Sequence, residues 1–260
     1  MSKKRSEGRG PRRSGSPEGN RASIQAVERA ARFLSLFSAG QPELTLNEIT
    51  ERLGLSRPTV HRYGMSLRST GLIRYDPVRA TYSLGPRIIE LGRIALSNLS
   101  IVRLAQPIME RLSQEANETV VMSIWDGQAP VVVEAVDRTE RLVSVGVRAG
   151  SRLPLFTSAQ GLVFLAFSEA ARETHRSSPR LRGLQAELQR IRDERIAVSD
   201  GVIPGIRVFA VPVFSDGEVA ATLALVCNQA SGPTGIDSPA TGALRRAAAE
   251  IIELLGAEQS

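Results

Sequence analysis

Residues 54–85 read GLSRPTVHRYGMSLRSTGLIRYDPVRATYSLG, a stretch that sets arginines and a histidine around a thin line of apolar residues and ends in two short alternating runs. Ser56 stands where a helix N-cap belongs, and Pro58 is tolerated because first-turn amides lack intrahelical partners. With about 100° between successive residues, Val60, Tyr63, Gly64 and Leu67 fall on one side of this helix, the side that faces a core. Arg62, Met65 and Ser69 point the other way, flanked by Thr59, His61 and Ser66, with Arg57 in the exposed first turn. Gly71 closes the helix, and "LIRYD" and "ATYSL" follow as two strands of a hairpin joined through "PVR".

Upstream lie two more helices. From Ser23 the residues Ile24, Val27, Ala30, Ala31, Leu34 and Phe37 recur at helical spacing until Gly40 and Pro42 stop the run. A second helix starts after Thr45, with Glu48 placed for a capping box, buries Leu46, Ile49 and Leu53, and ends at Gly54. Three helices, a tight turn and a hairpin make a winged helix-turn-helix over residues 23–85. Such a unit lays its last helix in the major groove of duplex DNA, where arginine pairs with guanine O6 and N7 and threonine meets a thymine methyl. Ser56, Arg57, Thr59, His61, Arg62 and Ser66 are the candidate contacts on that helix, and Arg74 and Arg79 on the wing reach flanking phosphates.

Charge follows the same division. Residues 1–22 carry a net +5, residues 23–85 a net +3 and residues 86–260 a net −2, so the basic surplus lies in the first third. That imbalance points to a polyanionic partner for the N-terminal part. Residues 1–22, rich in Gly, Pro, Ser, Arg and Lys, are read as a disordered basic arm. No membrane-length apolar run occurs, and the N-terminus lacks the apolar core of a secretory signal, so the expected location is the cytoplasm.

Residues 86–100 read as a connector helix with an apolar stripe of Ile88, Leu91, Ile94 and Ala95, which calls for burial against a second copy or the chain's own domain. Residues 101–260 open with a helix to about Ala116. Strands are expected at "TVVMSIWD", "PVVVEAVD", "RLVSVGV", "LPLF", "IRVFAVPVFS" and "EVAATLALVC". Helices are expected at "SAQGLVFLAF", "RLRGLQAELQRIRDERI" and "SPATGALRRAAAEIIELLG". The class is α+β with a mainly antiparallel sheet.

Catalysis finds little support. There is no G-x-S-x-G elbow; His175 lies in the polar run "ARETHRSSPR", Asp193 and Glu194 are adjacent and point apart, and "SGPTG" lacks the lysine of a phosphate loop. One cysteine, Cys227, reads as a core thiol in a buried strand, and with only two histidines neither a metal site nor a cofactor is expected.

The segments "LTLNEITERLGLSRPTVHRYGMSLRSTGLIRYD", "YSLGPRIIELG", "VGVRAGSRLPLFTSAQGLVFLAF", "GIRVFAVPVF" and "AATLALV" together resemble the IclR family of bacterial transcription regulators, nearly full length from Ser23 onward. The resemblance implies a homodimer or dimer of dimers on a double-stranded DNA operator, and a GAF-like C-terminal domain that binds a small-molecule effector. Carried over position by position, the effector pocket is lined by Phe156, Ala159, Gln160, Val198, Val208, Leu223 and Leu225. The family commonly has His at Phe156, Lys at Leu162, more acids around Asp200 and small polar residues at Leu223 and Leu225. A pocket so apolar suits an uncharged or largely apolar effector, because an unpaired buried charge is costly. The reading is thus a ligand-responsive repressor of a catabolic operon; a repressor that senses nothing shares the first domain, and an enzyme is the remote alternative.

Overall fold

The computed structural model describes residues 18–38, 40–97, 100–139, 147–200, 204–230, 232–233 and 235–258. The chain divides into two compact units, residues 1–94 and 95–260. The division falls inside the segment read as connector.

In the first unit, α1 (Glu18–Leu34) leads through β1 (Glu43–Thr45) into α2 (Leu46–Leu53) and α3 (Arg57–Ser69), followed by β2 (Ile73–Asp76) and β3 (Thr81–Leu84). Thr45 and Glu48 form the capping box read from the sequence, and Gly54 ends α2 in the left-handed conformation at φ 64°. The core gathers Phe33, Leu44, Ile49, Leu53, Val60, Leu67, Ile73 and Tyr82. Two details differ from expectation. α1 begins at Glu18, inside the supposed arm, because extending a packed helix costs far less than starting one; residues 1–17 of that arm lie outside the described residues. Its inward residue is Phe33, while Val27 is 68% exposed.

β1 was not legible, since three residues cannot display an alternation. It pairs antiparallel with β3, giving a three-stranded sheet in the order β1-β3-β2. Gly64 sets α3 close on this sheet: a Cβ there would stand 3.3 Å from Cε1 of Tyr82.

The next helix, α4 (Pro86–Ser97), leaves Ile89, Leu91 and Ile94 exposed at 66%, 45% and 59%. Ile88, expected on that stripe, is half-buried instead.

In the second unit α5 (Ser100–Ala116) precedes β4 (Thr119–Trp125) and β5 (Pro130–Val136). Then come α6 (Ala159–Phe167), α7 (Glu169–Thr174), α8 (Pro179–Gly183), α9 (Gln185–Glu194), β6 (Ala197–Ser199), β7 (Ile206–Ser215), β8 (Glu218–Asn228) and α10 (Pro239–Glu258). The five strands form an antiparallel sheet in the order β5-β4-β8-β7-β6, so the α+β reading holds. α5 and α10 cover one face with Val120, Met122, Phe209, Val211, Leu223 and Leu225, and α6 covers the other with Ala197, Ala210 and Ala224.

α6 is buried from Ala159 to Ala166, as an all-round apolar helix should be. Its terminal carbonyls are satisfied by arginines: Arg172 donates to Ala166 O at 2.8 Å, and Arg192 Nε donates to the same oxygen at 2.9 Å.

The expected strand at "LPLF" is not formed. Leu153 N donates to Pro130 O at 2.8 Å, and the chain then turns, Ser158 N donating to Pro154 O at 3.0 Å. Pro154 has no amide to continue a ladder. The expected strand "RLVSVGV" lies outside the described residues except for Val147. The single helix expected over residues 180–196 is two, α8 and α9, parted at Leu184. α7 and β6, both short, were not foreseen. Among the described residues no helix is long and apolar enough to cross a membrane.

Candidate functional site

The outward face of α3 is as its periodicity demands. Val60, Gly64 and Leu67 are buried and Tyr63 half-buried, while Ser56, Arg57, His61, Arg62 and Ser66 are exposed. Thr59 is only half-exposed. Ser56 holds the N-cap position but accepts no amide hydrogen; its hydroxyl meets the Thr59 hydroxyl at 2.9 Å. The positive end of α3 is therefore left open to an outside acceptor.

Among the described residues, no acid lies within ion-pair reach of Arg57, Arg62 or Arg74. These three exposed cations are thus without an intramolecular counter-charge among the described residues. Arg79 differs, since its guanidinium is 3.3 Å from Glu43 on β1. The wing turn that carries it is pinned by Asp76 Oδ1, which accepts from Val78 N at 2.8 Å and from Arg79 N at 3.2 Å.

The seven residues expected to line an effector pocket do not share one face. Phe156, Ala159 and Val208 belong to the α6 side, and Gln160, 4% exposed, is the second residue of that helix. Leu223 and Leu225 point to the opposite layer, among α5 and α10, and Val198 packs there too. The error is one residue of strand register, which turns a side chain from one face to the other. On β8 the α6 side is carried by Thr222 and Ala224, with Val226 beyond them, so small residues stand where two leucines were placed. Leu223 and Leu225 therefore lie off the α6 face, whose apolar character rests on Trp125, Phe156, Phe164 and Val208.

The α6 face of the sheet holds polar groups that sequence reading missed. Ser123 on β4 is opposite Thr222, and both are fully buried. Ser123 Oγ has no hydrogen-bond partner among the described residues. Thr222 was the available signal: it is the lone hydroxyl in the apolar run "VAATLALVC", and it marks the face that differs. Ser199 Oγ accepts from Ala159 N at 3.1 Å and Ser158 Oγ from Gly161 N at 3.1 Å, so hydroxyls fix the start of α6. Trp125 and Phe164 meet nearby at a tilt of 42°, with ring centroids 5.7 Å apart.

His175, in the run read as polar, is half-buried. It meets Phe156 edge-on at 5.5 Å, and its Nε2 is 3.2 Å from Gln128 O. Asp200 accepts from Arg207 Nε at 2.8 Å and from Gln229 Nε2 at 3.1 Å, so its charge is matched. A cavity of about 300 Å³ lies elsewhere, between the end of α5 and the start of α10, bordered by Glu115, Glu118, Gly232, Pro233, Ser238 and Pro239. It does not contact the α6 face.

Comparison with known proteins agrees with this architecture. Residues 26–77 match the IclR helix-turn-helix domain, and residues 93–252 match the bacterial transcriptional regulator IclR C-terminal model. The chain is 29% identical over 216 residues to the HTH-type transcriptional regulator XynR of Escherichia coli K12, covering 78% of this chain and 85% of that protein. It is 34% identical over 185 residues to the HTH-type transcriptional regulator Rv1719 of Mycobacterium tuberculosis, covering 67% of this chain and 70% of that one. An IclR homolog from Microbacterium hydrocarbonoxydans, solved in complex with 4-hydroxybenzoate, superposes with a TM-score of 0.72 at 27% identity, over 89% of this chain and 99% of its own. A winged unit with an open basic helix, a five-stranded sheet between α6 and the α5/α10 pair, and matches spanning both units identify this chain as a member of the IclR family of bacterial transcriptional regulators.

Proposed function

We propose that the chain represses a catabolic operon, binding a near-palindromic duplex as a homodimer or dimer of dimers, and that a small, largely apolar aromatic metabolite on the α6 face changes its affinity for that duplex. The observation that carries the effector half is Ser123 Oγ, fully buried without a hydrogen-bond partner among the described residues. A buried hydroxyl left unpaired costs about 1–3 kcal/mol, and a ligand hydroxyl or carbonyl would supply the missing bond. Trp125, Phe156 and Phe164 give the same side of the sheet aromatic surface, which suits a ring. The homologue bound to 4-hydroxybenzoate supports a ring carrying polar substituents.

The exposed Ile89, Leu91 and Ile94 of α4 support pairing with a second copy. In a dimer, two α3 helices would enter successive major grooves, with Arg62 and Thr59 at base edges and Arg57, His61, Arg74 and Arg79 toward phosphates. An effector shifts such binding only through different affinities for the DNA-bound and free states.

The test begins with duplexes selected by the full chain from a random library. Fluorescence anisotropy then follows binding in the presence of 4-hydroxybenzoate, neutral phenols, small keto acids and dicarboxylates. A phenolic compound that changes duplex affinity supports the proposal. A response confined to keto acids or dicarboxylates overturns the apolar effector, and no response to any compound favours a repressor that senses nothing.

A further inference from the structure

We infer that Met65 reads a thymine 5-methyl group in the major groove, an inference that rests on the DNA-binding reading of α3. Met65 is 45% exposed, whereas the other two methionines among the described residues, Met109 and Met122, are fully buried. Its surroundings on the helix are polar: His61 and Arg62 one turn before it, Ser66 beside it and Ser69 one turn after, all exposed. In helical projection it lies about 140° from Val60 and about 160° from Leu67, so it adds nothing to the core those residues build.

An exposed apolar side chain inside a cationic reading face needs an apolar counterpart once the face is covered. Among base edges in the major groove, only the thymine methyl offers one. The unbranched thioether can follow that methyl without strict geometry. Three residues beyond Arg62, Met65 stands about 4.5 Å further along the helix axis. One to two base steps of about 3.4 Å thus separate its thymine from the base that Arg62 contacts.

The experiment uses full-length wild type, Met65→Ala and Met65→Gln on a duplex selected by the wild type from a random library. Each thymine is replaced in turn, in both half-sites, by deoxyuridine, which removes the methyl group alone. Wild type loses about fourfold in affinity for one methyl removed, and about fifteenfold when both members of one symmetry-related pair of positions are replaced. Both variants bind the parent duplex more weakly and no longer distinguish thymine from uracil at that pair, while thermal midpoints stay at the wild-type value because the residue is exposed. Discrimination that persists in both variants, or a wild type indifferent to every deoxyuridine, overturns the inference. A wild type that selects no duplex overturns the DNA-binding reading itself, a distinct result.

Discussion

Gly161 of α6 lies against the main chain of Leu155 so closely that a Cβ at Gly161 would stand 2.2 Å from the Leu155 carbonyl oxygen and 2.8 Å from its Cα. The obstacle is backbone, which cannot swing aside as a side-chain tip would. The segment before α6 therefore folds back onto the helix only because position 161 has no side chain. Gly161→Ala is expected to destabilise the second unit by about 2–3 kcal/mol, the upper range for overpacking. Urea denaturation followed by tryptophan fluorescence, Trp125 being the lone reporter, measures it; an unchanged midpoint would refute this packing.

Thr45 N donates to Glu48 Oε2 at 2.7 Å, and Glu48 N donates to Thr45 Oγ1 at 3.3 Å. The backbone hydrogen bond from Thr45, then that from its hydroxyl, holds the Glu48 carboxyl below its ordinary range against the opposing effect of burial, with a smaller contribution from Arg52. A depressed carboxylate stabilises the fold above its unfolded pKa of about 4.3 and ceases to do so as pH falls through its folded value. Glu48→Gln should accordingly be less stable than wild type at neutral pH, and the gap should close as the solution is acidified. Thermal midpoints of the two proteins from pH 7 to pH 3 test this; a gap independent of pH contradicts it.

Removing the Ser123 hydroxyl should help the free protein. Ser123→Ala deletes a buried polar atom without a partner and leaves a methyl group in apolar surroundings, a gain of about 1 kcal/mol. The same variant should be less stabilised than wild type by a phenolic effector. Thermal shifts with and without 4-hydroxybenzoate read both effects.

Leu223 and Thr222 are sequence neighbours on opposite faces of β8. Leu223→Ala opens a cavity among α5 and α10 at a cost of about 2–5 kcal/mol and should leave the effector response of the remaining folded protein intact. Thr222→Val keeps the volume but removes the hydroxyl that donates to Ser123 O at 3.5 Å, which should cost about 0.5–1.5 kcal/mol, and it should alter that response. The reverse outcome would return the pocket to the leucine face.

On the DNA side, Arg62→Ala is expected to cost about 1–3 kcal/mol and to relax the preference at one base position. Glu43→Gln removes the carboxylate that engages Arg79, freeing a wing cation for phosphate, and should tighten binding to all duplexes alike at low salt. Anisotropy titrations across a salt series separate these outcomes. Equal affinities for Arg62→Ala and wild type would remove α3 from the groove.

Much of the fold was legible in the sequence because its signals are local. The capping box at Thr45 and Glu48, the left-handed Gly54 and the periodicity that buries Val60, Gly64 and Leu67 each need only a few consecutive residues. The outward face of α3 followed, since a helix has one inside and one outside.

Tertiary structure alone decided the rest. β7 and β8 are covered on both faces, so apolar residues run consecutively through their centres and alternation cannot say which side chains face α6. Only pairing with β4 fixes Thr222 opposite Ser123 and sends Leu223 and Leu225 to the far layer. Likewise β1 and β6 exist because β3 and β7 present free edges, and Arg79 is tied to Glu43 by a pairing across 36 positions of sequence. These are contacts between segments distant along the chain, and no local pattern of residues encodes them.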